Sequence, residues 1–175
     1  MKRTLLLLTC VLALTLGAAA QAHLDFADMP LVSNPSPLPN GYGQLDWGNF
    51  FYVDPYQWAG SDTGYKNGPV GQDVAFVGWQ ACRNYREACF GTISDPRGFA
   101  LVSANVAGGH GPTTVTAVAY RNGSYVGTAN YFLTTSMRTV NFPSSWGVVT
   151  QVTLEVSGGP GDLVVYSLAV YTLGG

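Results

Sequence analysis

Charge is scarce in this chain. Charged residues are 10% of its 175 positions, and the net charge is −2. No cluster of Lys and Arg stands out, so the positive patch that nucleic acid or an anionic membrane surface requires is missing, and neither is expected as a partner. Histidine is nearly absent: His23 and His110 are the two. No spaced histidine pair and no nucleophile elbow is present. Acids are few as well. Glu155 alternates outward on a strand and Glu87 lies between cysteines, so they do not make the carboxylate pair that glycoside hydrolysis needs. Beyond the first residues no stretch repeats its apolar positions every 3.6 residues, which excludes an amphipathic helical core. The chain is not expected to be an enzyme.

One long hydrophobic run exists, at the start. Residues 1–22 are expected to be a secretory signal peptide. Lys2 and Arg3 form the positive end, Leu5 to Leu16 the apolar core, and Ala20-Gln21-Ala22 the small-x-small cleavage site. The run is too short for a membrane span. Residues 23–175 then form a single domain, secreted to the extracellular space, carrying ten acids against six bases. Cys10 falls within the leader. The remaining pair, Cys82 and Cys89, reads as a disulfide in an exported protein, and closing so short a loop stabilises by roughly 2.5 kcal/mol.

Strand signals recur throughout. The strongest runs from Thr113 to Leu133, where two segments rich in β-branched and aromatic residues flank Asn122-Gly123. A type I′ turn needs positive φ at both central residues, and Asn followed by Gly tolerates that best. The pairing that follows sets Tyr120 opposite Tyr125 and Ala119 opposite Val126. Asn122-Gly123-Ser124 is also a glycosylation sequon, but the turn alone accounts for it. Gln151 to Val156 alternates, with Val152, Leu154 and Val156 inward. Leu163 to Leu173 is apolar on both faces and is expected as a central strand. Further strands are read at His23–Asp28, Leu45–Val53, Asp73–Trp79, Phe99–Val106 and Arg138–Phe142, with Pro-rich and Gly-rich loops at residues 29–43 and 54–71. Eight or nine strands at such spacing predict an all-β, antiparallel sandwich.

Several fragments together resemble a group of small secreted microbial proteins with a jelly-roll, galactose-binding-like sandwich. They are Pro39-Asn40-Gly41-Tyr42-Gly43 with Leu45, Trp47, Asn49 and Phe50; Gly64-Tyr65 with Asn67-Gly68; Val74-Ala75-Phe76; Phe99 with Leu101, Ser103 and Ala104; and Tyr120 with Asn122-Gly123. Most members of that group have no assigned activity. Similar sandwiches serve as carbohydrate-binding modules, often with a structural calcium that bridges the first and last strands. This chain departs from the group at Tyr166-Ser167, where Asp-Asn is common, and in the segment Cys82–Cys89, which looks like an insertion.

Aromatic residues are the densest candidate feature. Eight of the chain's 22 aromatics lie between Tyr42 and Tyr65. Trp47, Phe50, Phe51 and Tyr52 are strand residues, and one face of the strand must be core. Tyr56, Trp58 and Tyr65 lie instead in a Gly- and Pro-punctuated loop, where recognition residues concentrate. Flat rings suit the apolar face of a sugar, while Gln57, Asp62 and Asn67 supply bonds for its hydroxyls. These six residues are the expected ligand set.

Two metal sites are also conceivable. Asp25 and Asp28 could hold a structural calcium, a hard ion that wants six or more oxygens. Cleavage after Ala22 would make His23 the first residue. Its amine and imidazole, with His110, then resemble the copper brace of polysaccharide monooxygenases. The reading is a secreted, monomeric, non-catalytic glycan-binding module. The alternative is an extracellular structural or host-interaction protein without a small ligand. A copper protein acting on polysaccharide comes third.

Overall fold

A computed structural model describes residues 20–58, 63–78, 89–157 and 162–173. Regular structure among them is strand, apart from single 3-10 turns. The eleven strands are β1 (Ala20–Leu24), β2 (Ser36–Pro37), β3 (Asp46–Gly48), β4 (Phe51–Val53), β5 (Val74–Val77), β6 (Cys89–Gly108), β7 (Thr113–Arg121), β8 (Ser124–Leu133), β9 (Arg138–Asn141), β10 (Val149–Ser157) and β11 (Leu163–Thr172). All pairings are antiparallel. The all-β sandwich is as expected, with more strands than the sequence suggests.

The extra strands have simple origins. The Leu45–Val53 run splits into β3 and β4 because Asn49 takes a positive φ of 58° and breaks the extension. The strand expected at Phe99–Val106 begins earlier: Cys89 to Gly98, which carries no strand assignment from the sequence, is the first half of β6. That strand serves both layers. Its first half pairs with β3 and β10, and its second half with β9 and β11. The change of partner falls at Gly98, whose φ of +99° only glycine adopts readily. The first strand is displaced too. It covers Ala20–Leu24, against β11, while Asp25 to Asp28 turn away. Three of its residues are thus ones the sequence assigns to the leader; residues 1–19 lie outside the described residues.

One layer is therefore β3-β6-β10-β7-β8. The other is β2-β4-β5-β11-β6-β9, with β1 beside the far half of β11. The main core between them holds Phe26, Leu45, Trp47, Phe50, Phe99, Val152, Leu154 and Leu168. Trp47 is 5% exposed and donates its indole N–H to the Tyr42 carbonyl at 2.9 Å, the core role expected of it.

A smaller second core lies on the other side of the β4-β5-β11 layer. It contains Phe51, Val53, Tyr65, Val74, Phe76, Ala107, Val164 and Tyr166, with Trp58 packed against it. The loop after β4 folds back over the sheet and supplies Tyr65 and Trp58. That covering explains why β11 is apolar on both faces: eight consecutive residues, Leu163 to Val170, are buried. By contrast β7 and β10 alternate. Val115, Ala117, Ala119, Val152, Leu154 and Val156 face the core, and their neighbours do not. Nothing among the described residues covers the outer face of β10-β7-β8.

Candidate functional site

The loop expected to hold ligand is mostly occupied with the fold. Tyr65 is fully buried. Its hydroxyl donates to Asp162 Oδ2 at 2.5 Å, and His110 Nε2 stands 3.1 Å from the same oxygen. Burial, then the charge of Asp162, pushes the Tyr65 hydroxyl far above its ordinary pKa, so it remains a donor. Trp58 is half-buried. Its ring stacks on Phe76 with centroids 6.0 Å apart and meets Tyr65 edge-on at 5.2 Å. Tyr166 donates its hydroxyl to the Gly64 carbonyl. Gly64 itself packs so tightly on Gly108 and Gly109 that a methyl group there would overlap their carbonyl oxygens.

The other members of the expected set divide. Tyr56 is 43% exposed and donates its hydroxyl to the Lys66 carbonyl at 3.1 Å. Gln57 donates to Asp54 Oδ2 at 2.6 Å, and Asn67 donates to the Thr135 carbonyl at 2.5 Å. Both side chains spend their amides within the fold. Asp62 lies outside the described residues. The structure thus gathers the loop residues at one place, but Tyr65 presents no ring face to a ligand. Local sequence cannot reveal this, because the β11 surface that buries Tyr65 is about a hundred residues away.

The metal readings fare separately. Asp25 Oδ1 accepts the Ala27 N–H at 3.2 Å, and Asp28 Oδ1 accepts the Tyr42 hydroxyl at 2.8 Å. No group of three or more His, Cys, Asp or Glu side chains suited to a metal occurs among the described residues. His23 and His110 are not brought together. His23 pairs with Ala169 near the end of β11, whereas His110 bonds Asp162, just before its start. At about 3.3 Å per residue the two are some 20 Å apart along that strand, too far to share one ion. Cys89 is buried at the head of β6, and Cys82 lies outside the described residues.

The outer face of the β3-β6-β10-β7-β8 layer, over whose β10-β7-β8 part no described residue packs, is more open. Register places its residues in rows. Tyr125 is opposite Tyr120, which is opposite Gln151, which is opposite Ser94. The next row is Thr128, Val118, Thr153 and Thr92. Then come Asn130, Thr116, Glu155 and Phe90, and beyond them Phe132, Thr114 and Ser157. Large rings stand at both ends of a polar middle. Tyr125 is 65% exposed, Phe132 62% and Phe90 44%. Tyr120 and Tyr125 meet edge to face with centroids 6.5 Å apart. The polar groups are held in place: Thr116 donates to Asn130 Oδ1 at 2.8 Å, Gln151 donates to Thr153 Oγ1 at 3.2 Å, and the hydroxyls of Tyr125 and Thr128 lie 3.1 Å apart.

Two features aim this face. Asn122 and Gly123 have φ of 50° and 78°, the type I′ geometry expected. The register beyond the turn differs from expectation: Ala119 pairs with Gly127, not Val126, because β8 carries an extra residue. Such a bulge sharpens the local twist and keeps Tyr125 beside Tyr120. The alternation that marks this face was readable in Gln151, Thr153 and Glu155. Its exposed rings carry no such signal, because a hairpin's exposed aromatics look, in sequence, like its buried ones.

No family model matches the chain, and no curated protein matches it in sequence. Among solved structures, a DUF4465 family protein from Bacteroides caccae is similar over 86% of this chain and 98% of its own, with a TM-score of 0.55 and 13% identity. A carbohydrate-binding module, TmCBM61 in complex with β-1,4-galactotriose, is similar over 73% of this chain and 86% of its own, with a TM-score of 0.40 and 14% identity. The first likeness is one of fold. No helix among the described residues is long and apolar enough to cross a membrane.

Proposed function

We propose that the protein is an extracellular, monomeric, non-catalytic glycan-binding module, and that the outer face of the β3-β6-β10-β7-β8 layer is its binding surface. The observation that carries this reading is the arrangement of that face. Exposed rings of Tyr125 and Phe132 flank ordered hydroxyl and amide side chains on a rigid sheet. Rings offer an apolar plane to the C–H face of a pyranose, and convergent polar groups fix the orientation of its hydroxyls. The rows hold Glu155 and, where β3 continues the first of them opposite Ser94, the exposed Asp46, and no base, which suits a neutral polysaccharide better than an anionic one.

The test is a glycan array probed with purified protein, followed by titration of any hit against Tyr125→Ala and Asn130→Ala. Binding that weakens about tenfold or more in both, with folding unchanged, supports the surface. Binding that survives both and is lost in Tyr56→Ala moves the site to the loop after β4. If no polysaccharide binds, the exposed rings of Tyr125, Phe132 and Phe90 serve contact with another protein, the structural reading.

A further inference from the structure

Asp54 and Asp73 flank the end of the β4–β5 ladder. The register runs Phe51 with Phe76, Tyr52 with Ala75 and Val53 with Val74. One step further sets Asp54 beside Asp73. Directly opposed residues hold their Cβ atoms about 5 Å apart, and like charges in that position repel. Neither is relieved by water, since Asp54 is 4% exposed and Asp73 only 1%.

Their surroundings differ. Asp54 is provided for: Oδ1 accepts the Tyr56 N–H at 2.8 Å and Oδ2 accepts the Gln57 amide at 2.6 Å. Both oxygens of Asp73 are buried without any hydrogen-bond partner. A buried charge normally has a partner or binds a metal, since desolvating it alone is costly. Here the charge acting on Asp73 is that of Asp54, which is of the wrong sign.

We propose that Asp54 and Asp73 form a binding site for a hard divalent cation of the calcium class. Asp73 would ligate through both free oxygens, and Asp54 through lone pairs that Tyr56 and Gln57 leave unused. Two carboxylates neutralise a divalent ion, and calcium accepts a flexible shell completed by backbone carbonyls or water, which magnesium's stricter octahedron does not favour. The Val32 carbonyl, which accepts the Asp54 N–H at 3.0 Å, shows that the segment after β1 passes alongside. Entry is short, because Gly71 in the turn before β5 and Tyr56 and Gln57 in the turn after β4 are exposed. The ion would tie the turn after β4 to the head of β5. This site lies on other strands than Asp25 and Asp28 and does not depend on the glycan reading.

The experiment is calorimetric titration of the EDTA-stripped full protein with calcium chloride, with magnesium chloride in parallel, alongside melting curves. The expected result is binding of calcium in preference to magnesium, with melting raised by about 5 °C. Asp73→Asn, which keeps the shape and removes the charge, should weaken calcium at least tenfold and abolish the shift. Asp54→Asn should weaken it too, and serves as the reporter if Asp73→Asn does not fold. A joint Asp25→Asn, Asp28→Asn variant should bind as wild type does. The proposal is overturned by a wild-type protein that shows neither heat nor shift with calcium. It is equally overturned if calcium affinity survives the charge-removing variants of Asp54 and Asp73, or is lost with Asp25 and Asp28.

Discussion

Tyr65 donates its hydroxyl to Asp162 at 2.5 Å, joining two residues 97 positions apart in the chain. The bond fastens the loop after β4 across the outer side of β11 and makes that loop part of a core. Tyr65→Phe removes the donor and should cost about 1–3 kcal/mol, since the acceptor is a charged, largely buried group. Tyr65→Ala also leaves a cavity and should cost about 3–5 kcal/mol. Urea unfolding measures both, and a Tyr65→Phe protein as stable as wild type would deny the bond its role.

Trp58 follows the same logic. Because its ring stacks on Phe76 and meets Tyr65, Trp58→Ala should destabilise by about 2–4 kcal/mol. A loop expected to bind ligand through Trp58 would predict the reverse, with affinity lost and stability kept. Thermal melts of Trp58→Ala beside Trp47→Ala distinguish the two. Trp47 is deeper in the main core, so its loss should be the worse of the pair.

The contrast between these rings shows what sequence can and cannot reveal. Periodicity of two exposes the hairpin, and the Asn122-Gly123 turn fixes where it closes. Alternation in Gln151–Val156 and its absence in Leu163–Thr172 correctly separate a half-exposed strand from a covered one. What covers β11 is not local information. Nothing near Tyr65 in the sequence says that Gly64 will lie against Gly108 and Gly109, or that Asp162 will accept its hydroxyl. Asp54 and Asp73 are similarly silent, because their meeting depends on a register set by Phe51, Val53, Val74 and Phe76.

The acid pair predicts an unusual pH response. Burial, then repulsion from Asp54, raises the Asp73 carboxyl to about 6. A native acid with a raised pKa holds its proton where the unfolded chain, near 4, has lost it. The folded state is therefore favoured as pH falls, and in EDTA the melting temperature should rise between about pH 6.5 and 4.5. Asp95 does not mask this. Burial would raise its carboxyl, but Arg97, bonding it at 3.0 Å, holds it below the ordinary value, so its contribution is lost only at lower pH. Asp73→Asn should flatten the rise. A wild-type melting temperature that falls steadily across this window would count against the buried pair.

The Cys82–Cys89 disulfide remains an expectation for the segment leading into β6. A non-reduced digest should yield the linked peptides by mass spectrometry. Cys89 is 6% exposed at the head of a strand that serves both layers, so reduction should loosen that strand and lower the melting temperature. Two free thiols in the purified protein would remove the bond.

Tyr125 offers the cleanest separation of binding from folding. It is 65% exposed; its hydroxyl lies beside that of Thr128 on the same strand, and its ring meets Tyr120 edge to face. Truncating a ring that water already covers removes little buried area, so Tyr125→Ala should change stability by less than about 1 kcal/mol. Phe132, at the other end of the same face and 62% exposed, should behave likewise. If sugar rings lie along the rows between them, each truncation alone should weaken polysaccharide binding. Removing both should weaken it by about the product of the two effects, because the positions are some 20 Å apart along β8. A double variant no weaker than either single one would show that only one ring touches the ligand. Two variants that bind as tightly as wild type, on a protein that does bind glycan, would clear this face of the function assigned to it.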